Sequence, residues 1–351
     1  MTNATDYPFK SLIGLNTEEL RGVAVTLGEP AFRGNQLAEW LYRRGAADFS
    51  AMSNLPASFR LKLAKEYTPG RSTIITRQHS ADGTVKLLLE MADGAQVETV
   101  GLPYSERRSC CVSTQAGCPV GCAFCATGLS GFQRNLSAGE IVDQVLAVNT
   151  SFSESPVNPN QTVDHVTFMG MGEPLLNYEA VVKALRLLSQ EMGISARHLT
   201  ISTIGHVAGI RRLAQEELPV TLAVSLHAAD DDLRRQLIPG WKHNLAEIIS
   251  AAQEYLVATG RRLTFEYCLL AGVNDRPDDA LQLAKLLKGL NCHVNLIPFN
   301  PVDDIPFKSS PAIHVRAFQH LLENHGIAVT ARLRRGADID AACGQLRRRQ
   351  A

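Results

Sequence analysis

Short apolar runs alternate with amphipathic segments through the last two thirds of the chain, and this alternation limits the fold more than any other feature. Six of the runs are typical of strands, at residues 110–113, 163–169, 199–202, 220–225, 263–269 and 293–297. Helical spacing fills the gaps, for example at 138–148, 178–190, 245–258 and 277–287. Alternating β and α units form a parallel sheet with helical crossovers. Six units are fewer than the eight of a closed barrel, so the sequence predicts an α/β fold with a partial (β/α)6 barrel.

The first hundred residues have a different pattern. Short helical segments dominate at first, such as 36–44, where Leu37, Trp40 and Leu41 recur at helical spacing. From about residue 72, strand-like runs follow one another, separated by the turn signals Asp-Gly at 82–83 and 93–94. We therefore expect an N-terminal helical accessory domain at 1–70, a small β meander or linker at 71–103, and the barrel at 104–351.

Charge and composition narrow the class of protein. The 35 lysines and arginines are balanced by 35 aspartates and glutamates, which argues against a generic nucleic-acid-coating polycation. No window approaches ~18 consecutive apolar residues, and the first twelve residues lack the apolar centre of a signal peptide. We expect a cytoplasmic protein without a membrane partner. In a reducing cytosol its eight cysteines are more typical of ligands, nucleophiles or core residues than of a disulfide framework.

Three cysteines stand at C-x3-C-x2-C spacing in the segment GCPVGCAFC, residues 117–125, which we call the cluster loop. Its glycines and proline disfavour a helix and favour a loop that wraps around a bound group. Thiolates are soft ligands that suit iron–sulfur clusters or zinc. A structural zinc site normally has four protein ligands, whereas three cysteines on a 4Fe–4S cluster leave one iron open. A zinc site completed by Cys110, Cys111 or a histidine stays an alternative, as do three plain core cysteines.

Polar residues and glycines gather where predicted strands end, in the segments GMGEP at 170–174, IST at 201–203, SLH at 225–227 and NLIPFN at 295–300. Active sites of barrels lie at this carboxyl-terminal rim. Glycines there let the backbone approach a ligand, and a carboxylate can bind a cation. A further motif near the end of the chain, GADIDAACGQL at 336–346, surrounds a single cysteine; we call it the Cys343 loop.

The C-x3-C-x2-C motif resembles the signature of the radical S-adenosylmethionine (SAM) superfamily. With the rim segments and the Cys343 loop, the chain is similar to the RlmN/Cfr family of RNA adenosine methyltransferases from its N-terminal helices to Leu346. The resemblance implies a radical SAM barrel, a 4Fe–4S cluster held by Cys118, Cys122 and Cys125, and SAM as cofactor. Reductive cleavage of SAM at the cluster would supply a 5′-deoxyadenosyl radical.

The resemblance also implies roles for individual residues. Cys343 matches the cysteine that becomes S-methylated, Cys111 the cysteine that resolves an RNA–protein adduct, and Glu98 the proton acceptor. Two SAM molecules are used in each turnover, and resolution leaves a disulfide between Cys111 and Cys343. The SAM contacts implied are Gly172, Glu173, Ser202, Ser225, Leu226, His227 and Asn300. Cys110, Cys268 and Cys292 are predicted to be core residues. One departure from the family pattern is His206, where an apolar residue is expected.

The family acts on RNA, and the substrates implied are one peptidyl-transferase-centre adenosine of 23S rRNA and the adenosine 3′ of the tRNA anticodon. The N-terminal domain is implied to bind RNA, and a low-potential electron donor such as flavodoxin or ferredoxin is implied as a partner of a monomeric enzyme. Candidate RNA contacts are basic: Arg33, Arg43, Arg44, Arg60, Lys62, Lys65, Arg107, Arg108 and the tail at 332–349.

The branch of the family decides which carbon is methylated. Gly172-Glu173-Pro174 and Pro298-Phe299-Asn300 resemble the RlmN branch, which methylates adenine C2, more than the Cfr branch, which methylates C8. C8 methylation stays as an alternative. Two others are a different radical SAM enzyme, such as an activase acting on protein, and a zinc-stabilised RNA-binding protein without enzyme activity. The activase would leave the Cys343 loop and the N-terminal helices unexplained.

Overall fold

The computed structural model describes residues 9–154, 162–302 and 305–346 of the chain. The N-terminal part contains three helices, one π-helical turn and two short parallel strands. In chain order these are β1 (Lys10–Ser11), α1 (Thr17–Thr26), α2 (Phe32–Ala38), the π-helical turn Glu39–Arg43, α3 (Ala57–Glu66) and β2 (Tyr67–Thr68). Helix α1 begins in a capping box in which Asn16 accepts from the Glu19 backbone, an arrangement worth about 1 kcal/mol.

The N-terminal helices pack on one another and on the barrel. Gly34 allows α2 to meet α1, because a Cβ there would lie 2.3 Å from the Arg21 nitrogen. The Thr17 backbone nitrogen donates to Glu191 (2.9 Å), and Arg43 donates to the Met192 carbonyl (2.8 Å). The N-terminal part is therefore fixed to the outside of the barrel.

Three antiparallel strands follow and belong to the same sheet as the barrel. They are β3 (Thr73–His79), β4 (Val85–Glu90) and β5 (Gln96–Pro103). Strand β5 pairs antiparallel with β6 (Arg108–Cys111), opposing Val100 to Cys111. The meander thus extends the barrel sheet and brings Glu98, in the middle of β5, close to the first barrel strand.

Seven parallel strands form the barrel sheet, which confirms the predicted β/α alternation and adds one strand. After β6 come the short hairpin β7 (Gln115–Gly117) and β8 (Phe132–Asn135), then β9 (His165–Phe168), β10 (Leu199–Thr203), β11 (Thr221–Ser225), β12 (Leu263–Leu269), β13 (Cys292–Pro298) and β14 (Ala328–Ala331). Across the sheet the order is β14-β13-β12-β11-β10-β9-β6-β5-β4-β3, with every pair from β14 to β6 parallel. Because this order runs from one edge to the other, the barrel is open.

Helices connect the parallel strands. They are α4 (Ala126–Leu129), α5 (Ala138–Ser153), α6 (Tyr178–Gln190), α7 (Val207–Leu213), α8 (Asp231–Leu237), α9 (Leu245–Thr259), α10 (Pro277–Leu286) and α11 (Ala312–Asn324). The His206 ring explains the departure noted in the sequence: its Nδ1 accepts from the Gly209 backbone (2.8 Å) and caps α7. In the described part of the chain, no helix is long and apolar enough to span a membrane.

Candidate functional site

A cavity of about 930 Å³, including space open to solvent, lies at the carboxyl-terminal ends of the parallel strands. Its walls come from β9 to β13, from the cluster loop, from the residue that follows β14, and from the Cys343 loop. The position is the rim at which the sequence predicts a site.

The cluster loop brings its three cysteines to this cavity. Cys118, Cys122 and Cys125 all line it, and the loop turns through left-handed backbone at Gly117 (φ 81°) and Gly121 (φ 69°). At Gly117 a Cβ would collide with the Gly131 carbonyl oxygen at 1.8 Å, so the turn requires glycine. The Cys118 nitrogen donates to that same carbonyl (3.0 Å), which fixes the start of the loop on the β7–β8 hairpin.

The surroundings of Cys118 and Cys122 suit a cationic iron–sulfur group. Burial raises the pKa of Cys118 to about 12, and burial together with Cys125 and Cys118 raises the pKa of Cys122 well above its ordinary value. A positively charged cluster would stabilise the thiolates that burial disfavours. Among the described residues, no group of three or more His, Cys, Asp or Glu side chains could hold a metal ion. A cluster presents separate iron atoms, so its ligands need not converge on one point; the zinc alternative does require such convergence.

Glu173 is the buried carboxylate of the site. Its Oε1 accepts from the Leu175 nitrogen (3.1 Å) and its Oε2 from the Ile204 nitrogen (2.9 Å). Burial raises its pKa to about 7, and in the described part of the chain no basic side chain forms an ion pair with it. A buried carboxylate without a cation fits the ammonium group of SAM.

Glycines place Glu173 by close backbone packing. A Cβ at Gly170 would lie 2.7 Å from the Val112 carbonyl, and one at Gly172 would lie 2.6 Å from the Gln115 Cβ. Gln115 in turn accepts from the Glu173 nitrogen (2.9 Å). The segment between β9 and α6 is therefore seated on β7.

The other expected SAM contacts divide into two groups. Ser202, Ser225 and His227 line the cavity, as do Gly172 and Glu173, and the two serine oxygens lie 3.3 Å apart. His227 has left-handed backbone (φ 60°) and its Nδ1 accepts from the Cys268 nitrogen (3.0 Å). Burial lowers the pKa of His227 to about 3, so the ring is neutral at physiological pH.

Leu226 and Asn300 lie outside the cavity wall. The Leu226 side chain is fully buried in the core. The Asn300 amide donates to the Cys343 carbonyl (3.0 Å), and its Oδ1 is buried with no hydrogen-bond partner in the described part of the chain. Asn300 therefore contacts the Cys343 loop and retains an acceptor for a bound group.

Cys343 is exposed at the cavity mouth, and its loop is docked on the barrel. The Ala126 nitrogen donates to the Gly344 carbonyl (2.9 Å), and the Thr127 hydroxyl donates to the Leu346 carbonyl (2.6 Å). Cys111, at the end of β6, is half-buried, and burial followed by the nearby Cys343 sulfur raises its pKa to about 12. The fold thus brings together two cysteines that are far apart in sequence.

The structure corrects one expectation about these cysteines. All eight cysteines are free, so the disulfide expected from the sequence is absent. The sequence had suggested it as a product of the reaction, and the folded chain holds the reduced pair. Cys110, Cys268 and Cys292 are buried, as predicted; Cys268 also lines the cavity.

Glu98 is buried within β5 and forms an ion pair with Lys86 of β4 (3.3 Å). Both side chains are less than a tenth exposed. The Lys86 ammonium also donates to the Asp340 carbonyl of the Cys343 loop (3.3 Å). Glu98 does not line the cavity, but Lys86 connects it to the loop that does.

The sequence did not predict two charged residues of the cavity wall, Glu266 in β12 and Arg332 just after β14. A signal was available for Glu266, because a lone carboxylate within the apolar run 263–269 must be buried with a partner. Arg332 gives no such signal in a tail rich in arginine. The two side chains form an ion pair of 3.0 Å.

The basic residues considered for RNA have varied surroundings. Arg108 is buried, Arg60 donates to the Ser50 carbonyl (2.7 Å), and Lys62 pairs with Glu29 (2.9 Å). Arg33 stacks over the ring of Phe32, which is 52% exposed. The arginines at 347–349 lie outside the described residues.

Comparison with known proteins identifies the family of this chain. Residues 112–284 match the model of the Radical SAM superfamily, and residues 10–68 match that of the ribosomal RNA large subunit methyltransferase N-terminal domain. The "Probable dual-specificity RNA methyltransferase RlmN" of Thermosynechococcus vestitus is 48% identical over 340 residues, covering 97% of this chain and 98% of the relative. The protein of the same description from Gloeobacter violaceus is 48% identical, covering 96% and 95%.

Among solved structures, a radical SAM methyltransferase from Sphaerobacter thermophilus superposes with a TM-score of 0.93. It is 44% identical in sequence, and the match covers 96% of this chain and 99% of that one. Fold, cluster loop and cavity therefore define a radical SAM enzyme. The chain belongs to the RlmN family of radical SAM RNA methyltransferases, and its cofactors are a 4Fe–4S cluster and SAM.

Proposed function

We propose that this enzyme methylates C2 of one adenosine in the peptidyl-transferase centre of 23S rRNA, and C2 of the adenosine 3′ of the tRNA anticodon. The observation that carries the proposal is that Cys343 and the cluster loop line one cavity while Cys111 lies close to Cys343. The relatives' description as dual-specificity enzymes supports two RNA substrates. The segments at 172–174 and 298–300 support C2 over C8.

The cofactor sites follow from the chemistry of their donors. Cys118, Cys122 and Cys125 would hold the cluster, and Glu173 would bind the ammonium group of SAM beside Ser202 and Ser225. Bound together, cluster and SAM supply a 5′-deoxyadenosyl radical. The apolar wall, which includes Phe168 and Phe299, keeps water away from it.

Cys343 is the one-carbon carrier in this proposal. Adenine C2 is electron-poor and cannot attack the sulfonium of SAM directly. A thiolate is a strong nucleophile and can accept the methyl group. The methyl on the Cys343 sulfur, once activated by hydrogen abstraction, adds to the ring and leaves the RNA attached to the protein. The unpaired electron left on the ring would be returned to the cluster when the ring loses its proton.

Glu98 and Cys111 complete the reaction. The Glu98 carboxylate takes the proton from the ring carbon, and Lys86 stabilises it as an anion until then. Cys111, a neutral thiol at rest, then loses its proton and attacks the Cys343 sulfur. The bond between that sulfur and the carbon on the ring breaks, and the carbon takes up a proton to become the methyl group of the released RNA. That step oxidises the pair of sulfurs, and an external thiol returns them to the reduced form.

We infer that the N-terminal helices bind RNA and that the target adenosine leaves its stack to enter the cavity. The enzyme works in the cytoplasm as a monomer and receives electrons from a low-potential donor such as flavodoxin or ferredoxin. These partners follow from the family and from the need for a one-electron reduction at the cluster.

Mass spectrometry of 23S rRNA and tRNA from a strain lacking this gene tests the proposal. Restoring the gene should restore methyl groups at C2 in both RNAs. Cys343→Ala should restore none, and Cys111→Ala should accumulate RNA bound to protein, seen as an RNase-sensitive slow band on a denaturing gel. Cys292→Ala is the matched control and should behave as wild type, because Cys292 is buried at the far end of β13. Methylation at C8, or normal methylation by Cys343→Ala, would contradict the proposal.

A further inference from the structure

The geometry points to Arg332 as a further catalytic residue, one that holds the Cys343 sulfur in its nucleophilic, thiolate form. The inference rests on the proposed role of Cys343 as methyl acceptor. Arg332 follows β14, and its guanidinium lies between two partners. One nitrogen, Nη1, is 3.7 Å from the Cys343 Sγ, and the other, Nη2, is 3.0 Å from Glu266 Oε1.

Several contacts fix the guanidinium in this place. The Arg332 backbone nitrogen donates to the Leu296 carbonyl of β13 (2.8 Å). Glu266 is itself held by the Asn295 amide, which donates to the same Oε1 (2.9 Å). Both guanidinium nitrogens also lie 3.9 Å from the Met169 sulfur. A planar, always protonated group fixed on several sides presents one N–H edge to the cysteine.

Arg332 is a charged group in direct contact with the Cys343 sulfur. Cys111 and Cys268 also interact with that sulfur, and burial raises the pKa of both thiols, so both are neutral at physiological pH. Glu266 pairs with the other terminal nitrogen of the guanidinium, and its side chain is 3% exposed. A cation in direct contact stabilises a thiolate relative to its thiol.

The methyl transfer needs that thiolate. The Cys343 thiol first gives its proton to solvent, and its sulfur lone pair then forms the bond to the methyl carbon of SAM. The bond between that carbon and the sulfonium breaks, and its electron pair stays on the departing sulfur as S-adenosylhomocysteine. No oxidant or reductant is consumed, and Arg332 keeps its proton throughout.

Alkylation of Cys343 by iodoacetamide tests the inference without turnover. The full-length protein with its cluster is kept free of SAM and RNA, and mass spectrometry follows the unmethylated Cys343 peptide from pH 6 to 10. Loss of the cation should slow this alkylation. A tenfold loss of thiolate slows the reaction only about threefold, because the remaining thiolate has greater intrinsic nucleophilicity.

Four variants separate a direct effect on the sulfur from a structural one. Arg332→Gln should slow alkylation at least about threefold, and Arg332→Lys should restore most of it because the charge remains. Glu266→Gln also breaks the ion pair but leaves the cation, so Cys343 should react at least as fast as in wild type. Arg334→Gln is the matched control, since Arg334 contacts the Phe299 carbonyl (2.9 Å) instead of Cys343.

A lone buried Glu266 could unfold Arg332→Gln, so the double variant Glu266→Gln/Arg332→Gln is made as well. It should show the same slow alkylation as Arg332→Gln. Unchanged alkylation in the double variant, or equal losses in Glu266→Gln and Arg332→Gln, would overturn the inference. Neither result depends on which RNA carbon is methylated, so failure here is distinct from failure of the proposed function.

Discussion

Glu173 is a buried carboxylate that forms no ion pair with a basic side chain of the described residues. Its carboxylate accepts two backbone hydrogen bonds, yet burial raises its pKa from the ordinary 4.5 to about 7. Between these two pH values the folded protein binds more protons than the unfolded chain. Stability without SAM therefore falls as the pH rises through this window, by about 1.4 kcal/mol for each unit of pKa shift.

Glu173→Gln should remove this pH dependence. The difference in melting temperature between the SAM-free variant and wild type should move in favour of the variant from pH 5 to pH 8, because only wild type has a buried carboxyl that ionises in this range. The difference at any one pH also includes a lost hydrogen bond, because glutamine has one acceptor oxygen for the two backbone N–H groups of Leu175 and Ile204. The same variant should lose SAM binding at every pH, since an amide cannot neutralise the ammonium group. Thermal melts and equilibrium dialysis measure the two effects. A difference in melting temperature that stays constant from pH 5 to pH 8 would show that Glu173 does not cause the pH dependence.

At this scale the sequence predicts best those residues whose chemistry depends on spacing alone. The three cluster cysteines and the Glu173 segment reach the cavity as expected. Arg332 and Glu266 could not be predicted as a site, because their ion pair forms only when the fold brings β12 next to the residue after β14. Cys111 and Cys343 were paired only through family resemblance, since no local pattern joins residues so far apart.

The strand-end segment at 170–174 shows how a short element sets the position of a side chain. Gly172 has left-handed backbone (φ 102°) and lies directly against Gln115. Gln115 also accepts from the Glu173 nitrogen. Any side chain at 172 must push this segment off β7 and move Glu173 with it.

Gly172→Ala should therefore weaken SAM binding at least about tenfold and lower the melting temperature. The matched control is Gly94→Ala, in the β4–β5 turn, where the backbone is also left-handed (φ 80°) but a Cβ would meet nothing within 4 Å. The control carries the left-handed strain of ~1–2 kcal/mol without the collision. Equilibrium dialysis with SAM would refute the argument if both variants bound equally well.

Among the elements, the sequence predicts the long helices and the central strands well because periodicity and burial agree there. Helix α5 extends five residues beyond the predicted end at 148. Strand β14 was missed, because Ala328–Ala331 is a short, half-exposed edge strand without an apolar run. Such a strand is defined by its pairing with β13, which no local pattern contains.

At the scale of the whole molecule, the N-terminal helices form a surface attached to the barrel through Glu191 and Met192. Phe32 is half-exposed on this surface, with the Arg33 guanidinium 4.8 Å from its ring centroid. An exposed aromatic ring with a stacked arginine is suited to an unpaired base and its phosphate.

Phe32→Ala/Arg33→Gln should raise the Kd for substrate RNA at least about fivefold. This change corresponds to ~1 kcal/mol, the low end of the stacking energy for one base. The salt dependence of the Kd should also become shallower, because one phosphate contact is lost. SAM cleavage without RNA should stay at the wild-type rate. Val257→Ala, at an exposed apolar residue on α9, is the control and should leave the Kd unchanged. Fluorescence anisotropy with labelled RNA would count against the role if both variants matched wild type.

The docking of the Cys343 loop has a consequence for how substrates reach the Cys343 sulfur. Its backbone is held by Lys86, by Ala126 and Thr127 of α4, and by Asn300, from three separate parts of the chain. A cysteine on a mobile loop could carry the methyl group from one site to another. Because the loop is held in place, the proposed reaction requires SAM to reach the Cys343 sulfur from the cavity side and the nucleobase to be brought to it from outside.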